Sequence, residues 1–549
     1  MTKAFWQVLG LAGVLALLTG CGGGGGNGEG PIVYTLDASA SGAMDTRNNI
    51  VNVTIVSKDA NDLKAEYRAG FIQGKLQGTK VVNARDNTWD NSYLTDPDHT
   101  FPKQPGPTQA ELQLAQGALL QNYTYFLAYL QAPTTDPVVA YRLKRLLFRM
   151  LGIYHGVTRA DPQALDFSGT WLPDTRYLQA AELALGYETK DLTFMDLYFI
   201  NAFQDFSYLI PDLLGLPAGV GEHPEKCSAF LKRSGGEILL THNSWMGFLS
   251  QTMVQTLVVN GTSFTMNSST PGQIGSGTDF GYNNKGILFN ETTHRYSTTV
   301  AKKDGIWVFW RATLAEQFSA SISEFFDAMS IDESGTYMNG YMLADARSGE
   351  SGLIEMSYRC HVYYRSNGGS YAVTSRSYDG KPCGTTFDDT MVTPAYQMGI
   401  NYPASYQVVK DLGSSDNRPQ RRVQFAQLLP GVASVEQAKA VITYTDPGNP
   451  LSIFGRWDLG YGQTPNPKQI PDGSVDAKAT STQMVRDFMA LSGTLDVTSG
   501  ATGFWMLFGT AKVGGLPFIW SQSSWSWQKL RDVPDRVDGE YTLMPLYLR

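Results

Sequence analysis

Apolar residues recur at three- and four-residue spacing from Thr108 to about Ala160, through AELQLAQGALLQNYTYFLAYL and PVVAYRLKRLLFRMLGIY. That period gathers them on one face of a helix, so amphipathic helices are predicted there. A further helical block is expected from Thr175 to about Leu214. Residues 31–100 are mixed, with a strand-like VNVTIV at 51–56. The polar, Gly/Pro-rich PAGVGEHPEK at 217–226 then breaks the pattern, and a boundary is expected just before Cys227. Beyond it short strands dominate. CSAFLKR and EILLT flank Ser234-Gly235-Gly236, TLVV and TSFTM flank Asn260-Gly261, and KGILFNETT is a further strand. Thr313 to Met329 reads as one amphipathic helix, and MNGYMLADAR with GLIEMSYR as a strand pair. No fixed-period repeat is visible. A helix-rich front and a strand-rich back indicate a layered α+β protein.

The first hairpin supports a geometric inference. With 234–236 as a three-residue loop, Arg233 opposes Glu237 and Cys227 opposes Asn243. Opposed residues share a face, with Cβ atoms about 5 Å apart. A one-residue slip would place His242 or Ser244 there instead. In each register a cysteine meets a polar cluster.

Composition narrows the class. The 549 residues are 42% hydrophobic and 17% charged, which favours a packed core over disorder. The net charge of −8 comes without a basic cluster, so no nucleic-acid partner is expected. Met1-Thr2-Lys3, the apolar run Phe5–Leu18 and Leu18-Thr19-Gly20-Cys21 resemble a bacterial lipoprotein signal. Residues 1–20 are therefore read as a signal peptide, Cys21 as the lipidated residue and 21–30 as a Gly-rich tether. The absence of aspartate after Cys21 favours a lipid anchor in the bacterial outer membrane over a periplasmic or secreted form. Residues 31–226 form a helix-rich N-terminal segment and 227–549 the catalytic part.

Cys360 and Cys383 share a polar, Gly-rich region and could pair in an oxidising compartment. Cys227 is left alone. Three readings stand open: a buried inert thiol, a thiol paired with His242, or an N-terminal nucleophile created by cleavage between Lys226 and Cys227. In the third, the freed α-amine, with an ordinary pKa of about 7.7–8, takes the proton of a thiol at about 8.5.

Lys226-Cys227-Ser228-Ala229-Phe230-Leu231, with Thr241-His242-Asn243-Ser244-Trp245, resembles the phospholipase B-like family. So do Pro271-Gly272, Ile274, Ser276 and Asp279-Phe280; Glu291-Thr292-Thr293; Ser334-Gly335-Thr336-Tyr337-Met338-Asn339; Tyr444-Thr445-Asp446 with Asn449-Pro450-Leu451-Ser452; and Gly473-Ser474-Val475-Asp476-Ala477-Lys478. The resemblance covers roughly 227–482. It departs from the family pattern at Ser244 and Met338, and the second departure bears on the role of Asn339. It implies an αββα N-terminal-nucleophile hydrolase, self-processed into two pieces that stay together, and removal of acyl chains from phospholipids. The same fold group also holds cysteine amidases.

On this reading Cys227 attacks the acyl carbonyl and its α-amine carries the proton. Asn339 and Asn243 are the candidate oxyanion donors, with Thr336 nearby. His242 orients the amine or thiol, and Glu291 holds the ammonium form or assists cleavage. The expected partners are a lipid-like or N-acyl small molecule, the membrane through the anchor, and the chain's own N-terminal fragment. No cofactor is expected, and the six histidines show no metal spacing. A serine esterase elbow and a phosphate-binding loop are absent from the sequence. The Trp520–Trp527 region reads as core or domain edge. The alternatives are an N-acyl amide or peptide amidase, or a non-catalytic binding lipoprotein of the same fold.

Overall fold

Two largely antiparallel sheets face each other. The larger runs in the order β1 (Ile32–Asp37), β2 (Ala40–Arg47), β3 (Ile50–Ser57), β6 (Met253–Val259), β7 (Ser263–Ser269), β8 (Phe280–Asn283), β9 (Ile287–Thr293), β10 (Asn339–Asp345), β11 (Ser351–Met356), β12 (Cys360–Ser366), β13 (Tyr371–Ser377). The smaller runs β14 (Tyr396–Gly399), β4 (Cys227–Ser234), β5 (Glu237–Gly247), β15 (Asp472–Ser481), β16 (Trp505–Phe508), ending at Thr542–Leu543. The structure, a computed structural model, describes residues 31–94, 107–174, 176–207, 227–247, 252–294, 304–416, 419–446, 452–454, 472–492 and 503–509. It adds short pieces near 209, 519 and 531–544. The signal peptide, Cys21, the tether and Lys226 lie outside the described residues, as does much of the Trp520–Trp527 region.

Among the described residues β3 and β6 form the parallel pair. A parallel pair needs a long crossover, and here the intervening chain supplies α1 (Asp62–Gln77), α2 (Thr79–Leu94), α3 (Gln109–Gln131), α4 (Pro137–Thr158), α5 (Phe194–Ser207) and the β4–β5 hairpin. The front segment thus contributes strands to the large sheet as well as helices. The downstream helices are α6 (Val308–Phe318), α7 (Ile322–Met329), α8 (Tyr406–Leu412), α9 (Gln420–Leu428), α10 (Val435–Ile442) and α11 (Thr482–Ser492).

Alternation along the strands builds four layers. Leu288, Met342 and Leu353 of the large sheet pack with Ala229 and Leu240 of the small one in the inter-sheet core. Odd-numbered Ile287, Phe289, Tyr341 and Leu343 face α6 and α7. Val51, Val53 and Ile55 face α1. On the far side of the small sheet, Phe230 meets Phe425 of α9 with ring centroids 5.7 Å apart. The α+β class and the αββα layering follow from this packing.

Helix starts obey local chemistry. Thr108 and Glu111 form a capping box at α3, and Asp136 caps α4 ahead of Pro137. The α1–α4 contact needs glycine: a Cβ on Gly70 would lie 2.0 Å from the Arg149 carbonyl oxygen, and one on Gly152 2.1 Å from that of Tyr67.

Three expectations are corrected. Among the described residues of 175–214, the helical block is helical only over α5. Residues 189 and 191 turn instead, because Arg85 of α2 takes up their carbonyls at 2.7 and 2.8 Å. The single helix of 313–329 is two, since Ser321 Oγ accepts from Glu324 N–H at 3.1 Å and caps a new start. The first hairpin closes through two residues, Gly235 and Gly236, at φ 58° and 84°. Ser234 then opposes Glu237 and Cys227 opposes Ser244. Positive φ at both turn positions matches strand twist and is cheap only for residues such as glycine.

Candidate active site

The shorter turn fixes which side chains meet. Cys227, Ala229, His242 and Ser244 point between the sheets, while Ser228 and Asn243 point toward α9 and α10. β15 pairs with β5 so that Lys478 opposes His242 and Asp476 opposes Ser244. The inner face thus gathers Cys227, His242, Ser244, Asp476 and Lys478, all buried.

Lys478 is the hub. Its ammonium donates to Ser244 Oγ and the Thr278 carbonyl, both at 2.7 Å, and lies 2.7 Å from Asp476 Oδ1 and 3.1 Å from His242 Nδ1. Asp476 also accepts from Ser244 N–H at 2.9 Å. Burial and the neighbouring ammonium hold the His242 pKa well below its ordinary value, so the ring is neutral at pH 7.

Asp279 enters from the turn before β8, and donor atoms of Cys227, His242 and Asp279 lie within 4.8 Å of one another. Burial pushes Asp279 up to about 6, against the pull of Lys478. Glu291, buried beside it, is held well above the carboxylate range by burial and by the Asp279 charge. Asn339 lies beside the Glu291 carboxyl and opposes Thr293 across the β9–β10 ladder. A cleft between α5, α6 and the 273–279 loop, lined by Asn201, Gln204, Gln273, Phe309 and Tyr341, ends at Asp279.

The backbone of Cys227 is held at both ends. Its N–H donates to Asn401 Oδ1 at 3.0 Å, and its carbonyl accepts from Arg421 Nη1. Arg421 Nη1 also donates to Asn401 Oδ1 at 3.1 Å, and Asn401 Nδ2 donates to the Thr293 carbonyl at 2.7 Å. Asp279 and Asn401, which flank the cysteine, both adopt positive φ, 63° and 65°. Such sparsely populated conformations concentrate where surrounding structure imposes them.

Two sequence candidates sit elsewhere. Asn243 accepts from Ser228 N–H at 2.8 Å and gives its amide hydrogens to the carbonyls of Ile442 and Ile453, at 3.0 and 2.9 Å. It therefore braces the strand from behind, and its donors are spent. Thr336 donates to Asp205, which accepts from Val308 and Phe309 N–H at the start of α6, at 2.8 and 3.0 Å. Cys360 and Cys383 are disulfide-bonded, and Cys227 lies outside that disulfide with its thiol buried.

Cys227, His242, Asp279 and Asn339 thus stand on one contiguous stretch of chain that can be compared with known proteins. Residues 174–364 match the Phospholipase B family model. The family resemblance read from the motifs is borne out over this segment. The chain is 27% identical over 195 residues to phospholipase B-like 1 of Rattus norvegicus, covering 32% of this chain and 35% of that protein. It is 25% identical over 380 residues to phospholipase B-like 1 of Homo sapiens, covering 63% and 67%. The chain thus spans about a third of the rat relative and two thirds of the human one. Among solved structures, a mutant of the conjugated bile acid hydrolase from Clostridium perfringens aligns with TM-score 0.27 at 11% identity, over 46% of this chain and 85% of that one. A second variant of that enzyme aligns with TM-score 0.28 at 11% identity, over 52% and 89%.

The Phospholipase B segment ends before Asn401, Arg421, Asp476 and Lys478. Asp279, Asp476 and Lys478 stood in motifs matched in the sequence, yet nothing there gave them a role. Asn401 and Arg421 follow Cys227 by 174 and 194 residues. They carried no sequence signal, because contacts across such distances come only from folding.

Proposed function

We propose that the protein is a self-processed N-terminal-cysteine hydrolase that cleaves acyl ester or amide bonds, with phospholipid acyl chains as its first substrate class. One observation carries the reading. The nitrogen and carbonyl of Cys227, at the very start of β4, are each gripped by side chains of distant elements. An ordinary strand residue needs no such grip, whereas a nitrogen that must become a base does. The Phospholipase B match and the two phospholipase B-like relatives add support.

In processing, Cys227 Sγ attacks the Lys226 carbonyl carbon, the peptide C–N bond breaks, and the nitrogen leaves with a proton as the new amine. Water hydrolyses the resulting thioester. In turnover the amine takes the thiol proton as sulfur attacks the acyl carbonyl, then gives it to the departing oxygen or nitrogen. Water releases the acid and restores the thiol. Asn401 holds the amine. Asn339 Nδ2 is the remaining side-chain amide for the oxyanion, since Asn243 has none to give. Neutral His242 orients the thiol, and Glu291, kept protonated by burial and by the neighbouring Asp279 carboxylate, supplies acid next to the scissile bond. The cleft ending at Asp279 is the route for substrate. Attachment through Cys21 would hold the enzyme at the outer membrane, beside phospholipid.

N-terminal sequencing of an active preparation tests this directly, with a fragment beginning CSAFLK expected. Cys227→Ala should give one full-length mature band and no turnover; hydrolysis by that variant at the wild-type rate refutes the mechanism. Parallel assays with phospholipid and N-acyl amino acid decide between esterase and amidase.

A further inference from the structure

The inner cluster has a property beyond hydrolysis. Cys227, His242 and Asp279 present sulfur, nitrogen and oxygen donors within 4.8 Å of one another, from β4, β5 and the β8 turn. A tetrahedral zinc site with bonds of about 2.0–2.3 Å places neighbouring ligand atoms about 3.3–3.8 Å apart. Side-chain adjustment of about 1 Å would close the cluster to that geometry. His242 is buried, its Nδ1 is engaged by Lys478, and Nε2 makes no hydrogen bond of normal geometry, although the Glu291 backbone lies close. Nε2 is therefore the more loosely held ring nitrogen, and a metal there would replace only the Glu291 backbone contact.

Charge agrees. Lys478 is already matched by Asp476. Asp279 and Glu291 stand together in the interior, and among the described residues no salt bridge reaches either. Thiolate sulfur, imidazole and carboxylate together select a borderline cation such as zinc over calcium or magnesium.

We infer that Cys227, His242 and Asp279 form a site for a zinc-class divalent cation, and that this cation blocks the nucleophile. Binding expels the thiol proton to solvent as the metal–sulfur bond forms. The fourth ligand rests on the processing reading: cleavage before Cys227 frees an amine that closes a five-membered chelate with its own sulfur. Cut protein should therefore bind more tightly than uncut protein, and zinc inhibition should reverse on chelation.

The test uses metal-stripped full chain titrated with cobalt(II), with N-terminal sequencing run on the same sample. One cobalt per chain is expected, with a thiolate-to-cobalt charge-transfer band that zinc abolishes by displacement. Asp279→Asn should weaken binding about tenfold or more, and Cys227→Ser should remove the band. Folded wild-type protein without a band, or a band unchanged in Asp279→Asn, overturns the inference. A band in protein that shows no CSAFLK terminus leaves the three-side-chain site standing and defeats the processing reading. A processed protein without a band does the reverse. Should Cys227→Ser fail to fold, iodoacetamide labelling of wild-type Cys227 replaces it: zinc should protect the thiol, and labelling at an unchanged rate overturns the inference.

Discussion

Replacing Lys478 with methionine isolates the electrostatic hub of the site. The lysine and Asp476 are both fully buried, 2.7 Å apart. Lys478→Met keeps the apolar stem and deletes the ammonium. Asp476 then keeps the hydrogen bond from Ser244 N–H and loses its counter-charge. Removing one partner of a buried pair typically costs about 3–5 kcal/mol, because the survivor is stranded in low dielectric. With an unfolding entropy of about 2.1 cal/mol/K per residue, a chain of this length should melt about 3–4 °C lower at pH 7. The loss should shrink as pH falls. Stranded Asp476 takes up a proton in the folded state at a pH where the unfolded residue is still ionised, so acid favours the folded variant. The double change Asp476→Asn with Lys478→Met should recover part of the loss, since neither member of the pair is left as a lone buried charge. Calorimetry of wild type, both single variants and the double at pH 5 and 7 measures all of this. A Lys478→Met protein that melts with wild type at pH 7, or a double variant no better than Lys478→Met alone, refutes the buried-pair account.

Other expectations are more local. Burial pushes Glu316 from 4.5 up to about 8, so between those values the folded state holds a proton that the unfolded state has released. Its contribution is therefore lost as pH rises through that window, by at most about 1.4 kcal/mol per pH unit. Glu316→Gln should gain on wild type between pH 5 and 8 in thermal melts; parallel melting curves would contradict the burial. Gly152→Ala forces a Cβ to within 2.1 Å of the Tyr67 carbonyl oxygen and should cost about 1–3 kcal/mol or more in urea unfolding. Gly117→Ala in α3, where nothing lies within 4 Å, should instead stabilise by about 0.5–1 kcal/mol.

The helices of 109–158 and the strands from Cys227 onward were legible because each buries one face, and burial writes a period into the chain. The helix expected over 175–214 failed where Arg85, a side chain from another element, satisfied carbonyls that a helix would have used. For the site, Cys227 and His242 were found because they lie on one hairpin, where a local rule relates sequence distance to space. That same rule erred by one residue over the turn, and the error sent Asn243 to the wrong face. Thr336 was matched by motif and turned out to hold Asp205 at the head of α6.

The sequence by itself determined the α+β class, the family resemblance, the cysteine at the head of the hairpin and the histidine that shares its face in the observed register. These depend on composition, periodicity and order along the chain. Only the tertiary structure decided that Asn401 and Arg421 grip Cys227, that burial together with Lys478 keeps His242 neutral, and that Asp279 closes the cluster. Each of those partners lies on a strand, turn or helix brought in by sheet pairing and core packing. The pairing energy is spread over whole strands, so no short stretch of sequence records where a single side chain will land.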